Sequence, residues 1–161
     1  MMSDQRGFTV AELVVVMTVL ALLIWVALPR SYASDVRREA LARQIQTDVQ
    51  YTQELAMRTG QRHRIRFYSS TNPNPANRYE IVAISGSGCS VATPCSVLHP
   101  LSLGSGFVVD LTRAPWAGVG LDTTLTLDFD SLGRPDAAKT IALDGGTKVI
   151  TVSAETGFVT P

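Results

Sequence analysis

Glu12 is the lone acid in an apolar segment that runs from Phe8 to Leu28, and no Lys or Arg lies within that segment to neutralise it. A carboxylate at membrane depth costs roughly a few kcal/mol and needs a partner or a function. The acid stands fifth in any chain that begins at Phe8. A free amino group at Phe8 of a neighbouring copy is its natural counter-charge. That pairing holds two copies in one axial register, because any other register leaves a buried charge unpaired.

Elsewhere the chemistry is sparse. Cys89 and Cys95 are the only cysteines, close together in Cys-Ser-Val-Ala-Thr-Pro-Cys. In an exported domain such a pair reads as a disulfide; two unpaired loop thiols are the competing reading. Zinc is not expected, since neither His63 nor His99 has ligand spacing to the pair. Arg58, Arg62, His63, Arg64 and Arg66 form a basic cluster. It reads either as a phosphate-contacting patch for DNA or, preferably, as a solvated face whose charges guard a strand against edge pairing. Asp128, Asp130 and Asp136 around Gly133 hint at a calcium loop, but their spacing departs from the EF-hand pattern and favours a strand-ending turn. No nucleophile elbow, phosphate loop or HExxH string occurs, so neither an enzyme nor a cofactor is expected.

The elements that must position these residues follow from periodicity. Phe8 to Leu28 is about 21 residues, roughly 31 Å as a helix, which matches a bilayer core. Beyond Pro29, Leu41, Ile45, Val49, Thr52, Leu55 and Ala56 recur at three- and four-residue steps, the mark of a helix with one buried stripe. One long helix is expected over 8–59, loosened at Pro29 by the missing N–H and the ring clash. Ser34 or Asp35 is placed to cap a restart and Gly60 to stop it. From Gln61 the period drops to two. His63, Ile65 and Phe67 share one face of a strand; Arg62, Arg64 and Arg66 share the other, with Tyr68 following. Further strands are expected over 79–84, 107–111, 124–129, 140–143 and 148–152, with a short closing strand over 156–159. Asp144-Gly145-Gly146-Thr147 reads as a hairpin turn. Trp116 reads as a core anchor or an exposed contact. Helix first and strands after is an α+β order.

Gly7, Phe8, Thr9 and Glu12, followed by the apolar run, resemble the processing motif of type IV prepilins. The resemblance is strong over residues 6–30. It implies that a prepilin peptidase cuts after Gly7, that Phe8 becomes a methylated N-terminus, and that Glu12 aligns one subunit with the next. Pro29 stands where many pilins carry a helix-loosening proline. Phe129-Asp130-Ser131-Leu132-Gly133-Arg134-Pro135 and Thr156-Gly157-Phe158-Val159 resemble the GspH/FimT branch of pilin-like proteins, with its turn before the last hairpin and its terminal glycine-centred strand.

At 161 residues the chain has room for one globular domain plus an anchor. Its zero net charge excludes a strong overall field toward nucleic acid or acidic lipid. The resemblance implies a leader over 1–7, a transmembrane or filament-core helix over 8–29, an amphipathic continuation over 30–60, and a periplasmic antiparallel β domain over 61–161. The single Arg6 is offset by Asp4, while Arg30, Arg37 and Arg38 follow the anchor. The positive-inside rule therefore does not itself place the domain outside the inner membrane; the resemblance and the cysteines do. The expected function is a minor subunit of a type II secretion pseudopilus, with a minor pilin for priming, adhesion, twitching or DNA uptake as the runner-up. Expected partners are other pilins or pseudopilins, the peptidase and N-methyltransferase, an inner-membrane assembly platform, and lipid before assembly. A membrane-tethered DNA- or ligand-binding module that never polymerises is the reading from another class.

Overall fold

The computed structural model describes residues 9–27, 32–100 and 104–160. The chain divides into two units, residues 1–33 and 34–161. Gly7, Phe8 and Pro29 lie outside the described residues, as does the join between the two expected halves of the long helix.

In the first unit, α1 spans Val10–Ala27. Its apolar residues lie all round the helix instead of along one stripe. A helix built this way has no preferred face to bury in a globular domain and is suited to a wholly apolar setting. Eighteen residues rise about 27 Å, and among the described residues no helix is long and apolar enough to cross a membrane. The expected span needs Phe8 and Leu28, which lie beyond the described ends.

The second unit is built on α2, Tyr32–Thr59. The helix begins ahead of Ser34 and Asp35, so neither caps it. Both fall inside the first turns, where Asp35 pairs with Arg38 at 2.6 Å and Ser34 accepts from the same guanidinium at 3.3 Å. The whole expected stripe, from Leu41 through Ala56, is buried. Gly60, at φ +65°, follows the helix end in the left-handed conformation that glycine adopts without strain.

The strands form two antiparallel sheets. β1 (His63–Tyr68), β2 (Arg78–Ala83), β3 (Cys95–Ser96), β4 (Val108–Asp110) and β5 (Leu125–Phe129) make the first, in the order β3-β2-β1-β5, with β4 also pairing β2. β3 and β4 occupy opposite ends of one β2 edge, at Val82–Ala83 and Arg78–Glu80. β6 (Lys139–Leu143), β7 (Lys148–Val152) and β8 (Val159–Thr160) make the second sheet, in that order. The Asp144–Gly146 turn between β6 and β7 has positive φ at three successive residues, which selects Asp-Gly-Gly.

The core lies between the α2 stripe and the inner faces of the sheets. Ile65, Phe67, Tyr79, Ile81, Leu127 and Phe129 come from the larger sheet, and Ile141, Ile150, Val152 and Val159 from the smaller. Phe107, Leu111 and Leu121 fill in from loops, and Trp116 packs half-buried against the same cluster, the core role of its two readings. The fold is α+β, a long helix packed on antiparallel sheet, as expected.

Candidate functional site

Thr9 and Glu12 form a capping box at the start of α1. The Glu12 N–H donates to the Thr9 hydroxyl at 3.2 Å, while the Glu12 carboxylate accepts from the Thr9 N–H and hydroxyl, each at 3.2 Å. Two N–H groups that a helix start leaves unsatisfied are thereby paired. The Thr-x-x-Glu string carries this signal, and the sequence reading passed over it. Glu12 thus has local partners within its own chain, and any counter-charge from outside must do better. Beyond it, every large apolar side chain from Leu13 to Ile24 is at least 48% exposed.

The expected basic cluster separates into two faces. His63 points into the core, 3% exposed, with its Nδ1 3.1 Å from the Gln61 carbonyl. Burial lowers its pKa below the ordinary imidazole value, which favours the neutral ring. It does not belong with the arginines. Arg64 and Arg66 project from the other face of β1, as the alternation requires. They are not guarding an edge, because β1 is interior, paired on one side with β2 and on the other with β5. Cross-strand carboxylates meet them instead. Arg64 forms a two-pronged pair with Asp128 on β5 at 2.5 and 2.6 Å. Arg62 reaches the same acid at 3.7 Å. Glu80 on β2 lies 3.7 Å from Arg66 and 4.0 Å from Arg78, and accepts from the Tyr68 hydroxyl at 2.8 Å. The face is a charge ladder closed largely on itself. Arg58 lies apart, exposed at the C-terminal end of α2.

The three aspartates around Gly133 are committed to the turn. Asp130 accepts from the N–H groups of Leu132 and Arg134 at 2.9 and 2.8 Å. Asp136 accepts from the Asp128 N–H at 3.1 Å. Asp128 is held by Arg64. Among the described residues no cluster of three or more His, Cys, Asp or Glu is arranged to hold a metal ion.

Cys89 and Cys95 are bonded, with Cα atoms 5.4 Å apart. Cys95 opens β3, so the bridge ties a short edge strand back to the loop that leaves β2. A ring of this size removes roughly 2 kcal/mol of loop entropy from the unfolded chain.

The sequence reading also missed Asp48. It sits on the buried side of α2, 5% exposed. Its carboxylate accepts from the Tyr79 hydroxyl at 2.6 Å and from the Gln44 amide at 3.1 and 3.0 Å. The signal was its place on the stripe, three residues after Ile45 and four before Thr52.

Residues 2–28 match the family model of the prokaryotic N-terminal methylation motif. The matched segment contains Gly7, Phe8, Thr9 and Glu12, and it supports a type IV pilin-like protein with a structural role. No curated protein and no solved structure matches the chain.

Proposed function

We propose that the chain is a minor subunit of a type IV filament, of the kind that builds a type II secretion pseudopilus, and that it works by assembly and not catalysis. The observation that carries the reading is α1: an apolar rod, uncovered on all sides, that begins with a matched methylation motif and a single carboxylate. Such a surface needs lipid or sister rods around it. A prepilin peptidase cuts after Gly7, where a side chain would crowd the bulky Phe8, and the new Phe8 terminus is methylated. The anchor spans the inner membrane with the disulfide-bonded domain in the oxidising periplasm. Pro29 loosens the rod. During assembly Glu12 exchanges its capping contacts for the Phe8 amine of an adjacent subunit, which selects the axial register. The arginine face is assigned to the sheet's own charge ladder and not to DNA.

Substitution at Glu12 separates the cap from the counter-charge. Glutamine at that position preserves the capping box but carries no charge; alanine loses both. Glu12→Gln and Glu12→Ala are expected to be processed and membrane-inserted alike, and both to be depleted from purified filaments. Wild-type incorporation of Glu12→Gln would show that the glutamate serves α1 alone and defeat the charge-pairing mechanism.

A further inference from the structure

A cleft of 310 Å³ is lined by Gln44, Thr47, Asp48 and Tyr51 of α2 and by His99, Pro100 and Phe107. The volume is at the lower end of the range for small-molecule sites. Asp48, 5% exposed, is one of its lining residues. The walls are aromatic: Tyr51 stacks on Phe107 with ring centroids 5.8 Å apart, and His99 lies 4.4 Å from the same phenylalanine.

The charge balance of this cleft points to an occupant. Asp48 accepts hydrogen bonds from two neutral donors, the Tyr79 hydroxyl and the Gln44 amide. Such donors satisfy lone pairs but leave the net charge in place, and a buried charge is costly without an opposite one. A cationic field reaches Asp48 from the half-buried His99, and no Arg or Lys hydrogen-bonds its carboxylate among the described contacts. A carboxylate with aromatic side chains beside it is an arrangement that attracts an organic cation, through direct charge pairing and through the negative faces of rings.

We infer that this cleft is a binding site for an alkylammonium group, seated beside Asp48 against the Tyr51 and His99 rings. Two sources share that chemistry, a free amine and a lysine side chain of another protein. The site lies wholly within the second unit, so it operates whether or not the filament reading holds.

The test uses the full chain in an uncharged maltoside detergent and follows the Gln44 amide and the Tyr51 and Phe107 ring signals by NMR. The probes are n-butylammonium, the isosteric neutral n-butanol, and a capped peptide with one lysine. Saturable shifts with at least one cation, and none with the alcohol, are expected. Asp48→Asn should weaken cation binding about tenfold or more. Should that variant fail to fold, Thr47→Arg, which sets an internal guanidinium at the rim, is expected to weaken binding similarly. A peptide affinity above that of the free amine identifies a protein lysine as the occupant; the reverse order identifies a small amine. Absence of saturable shifts with both cations in the wild type, equal response to the alcohol, or undiminished binding in a folded Asp48→Asn chain overturns the inference.

Discussion

At the scale of single residues, two carboxylates dominate. Glu12 sits at an exposed helix start with its own threonine for company. Asp48 is buried, and its environment has a thermodynamic signature. Burial raises its pKa above the ordinary 3.8, outweighing the hydrogen bonds from Tyr79 and Gln44 and the field of His99, which lower it. The Tyr79 hydroxyl is itself pushed well above 10, first by burial and then by Asp48, so it remains a donor throughout. The folded Asp48 therefore keeps its proton to a higher pH than the unfolded one. Its contribution to stability is complete below the unfolded value and is lost as pH rises through the folded value. Asparagine at this position cannot titrate. The difference in melting temperature, Asp48→Asn minus wild type, is expected to grow as pH rises above the ordinary carboxylate value of 3.8. A difference that stays flat or shrinks as pH rises above the ordinary value would contradict a raised Asp48 pKa.

At the scale of elements, α2 is the hub, and Gln53 shows why. Its side-chain amide donates to the carbonyls of Gly133 and Thr156, both at 2.9 Å. One glutamine thus pins the turn after β5 and the loop before β8 onto the helix. Both loops need glycine here: Gly133 and Gly157 have φ of +77° and +67°, and an added Cβ would lie 2.8 Å from Met57 and from Gln53 respectively. These are the two segments whose composition resembles one branch of pilin-like proteins, and their glycines are explained first by positive φ, with the flexible Met57 and Gln53 ends of α2 packed close against them. Gln53→Ala is expected to cost about 1–2 kcal/mol in denaturant unfolding, the worth of one partly buried and one exposed hydrogen bond. Loss of under about 0.3 kcal/mol would mean that the loops hold their places without it. The strands were legible because alternation survives in them; β1 shows it residue by residue. β3 was not legible, because two residues carry no period, and the disulfide and the β2 edge define it instead.

At the scale of the whole molecule, the chain joins an apolar rod to a domain with its own core. The proposed life history is a leader removed, an N-terminus methylated and a rod handed from lipid to sister rods. Intact mass of the membrane-extracted protein, made alongside its processing enzyme, is expected to correspond to Phe8–Pro161 plus one methyl group and less two hydrogens for the disulfide. A mass that retains Met1–Gly7 would end the filament proposal at its first step. Residue order alone determined the apolar rod, the motif at its head, the buried stripe of α2 and the α+β class, because periodicity and hydropathy are local properties of a chain. Tertiary structure decided which charges meet. Arg64 finds Asp128 across 64 positions, and Tyr79 finds Asp48 across 31. The same kind of pairing closes the arginine face on itself and buries the Asp48 carboxylate beside an aromatic cleft. Electrostatic partnership depends on distance in space, which no spacing along the chain encodes.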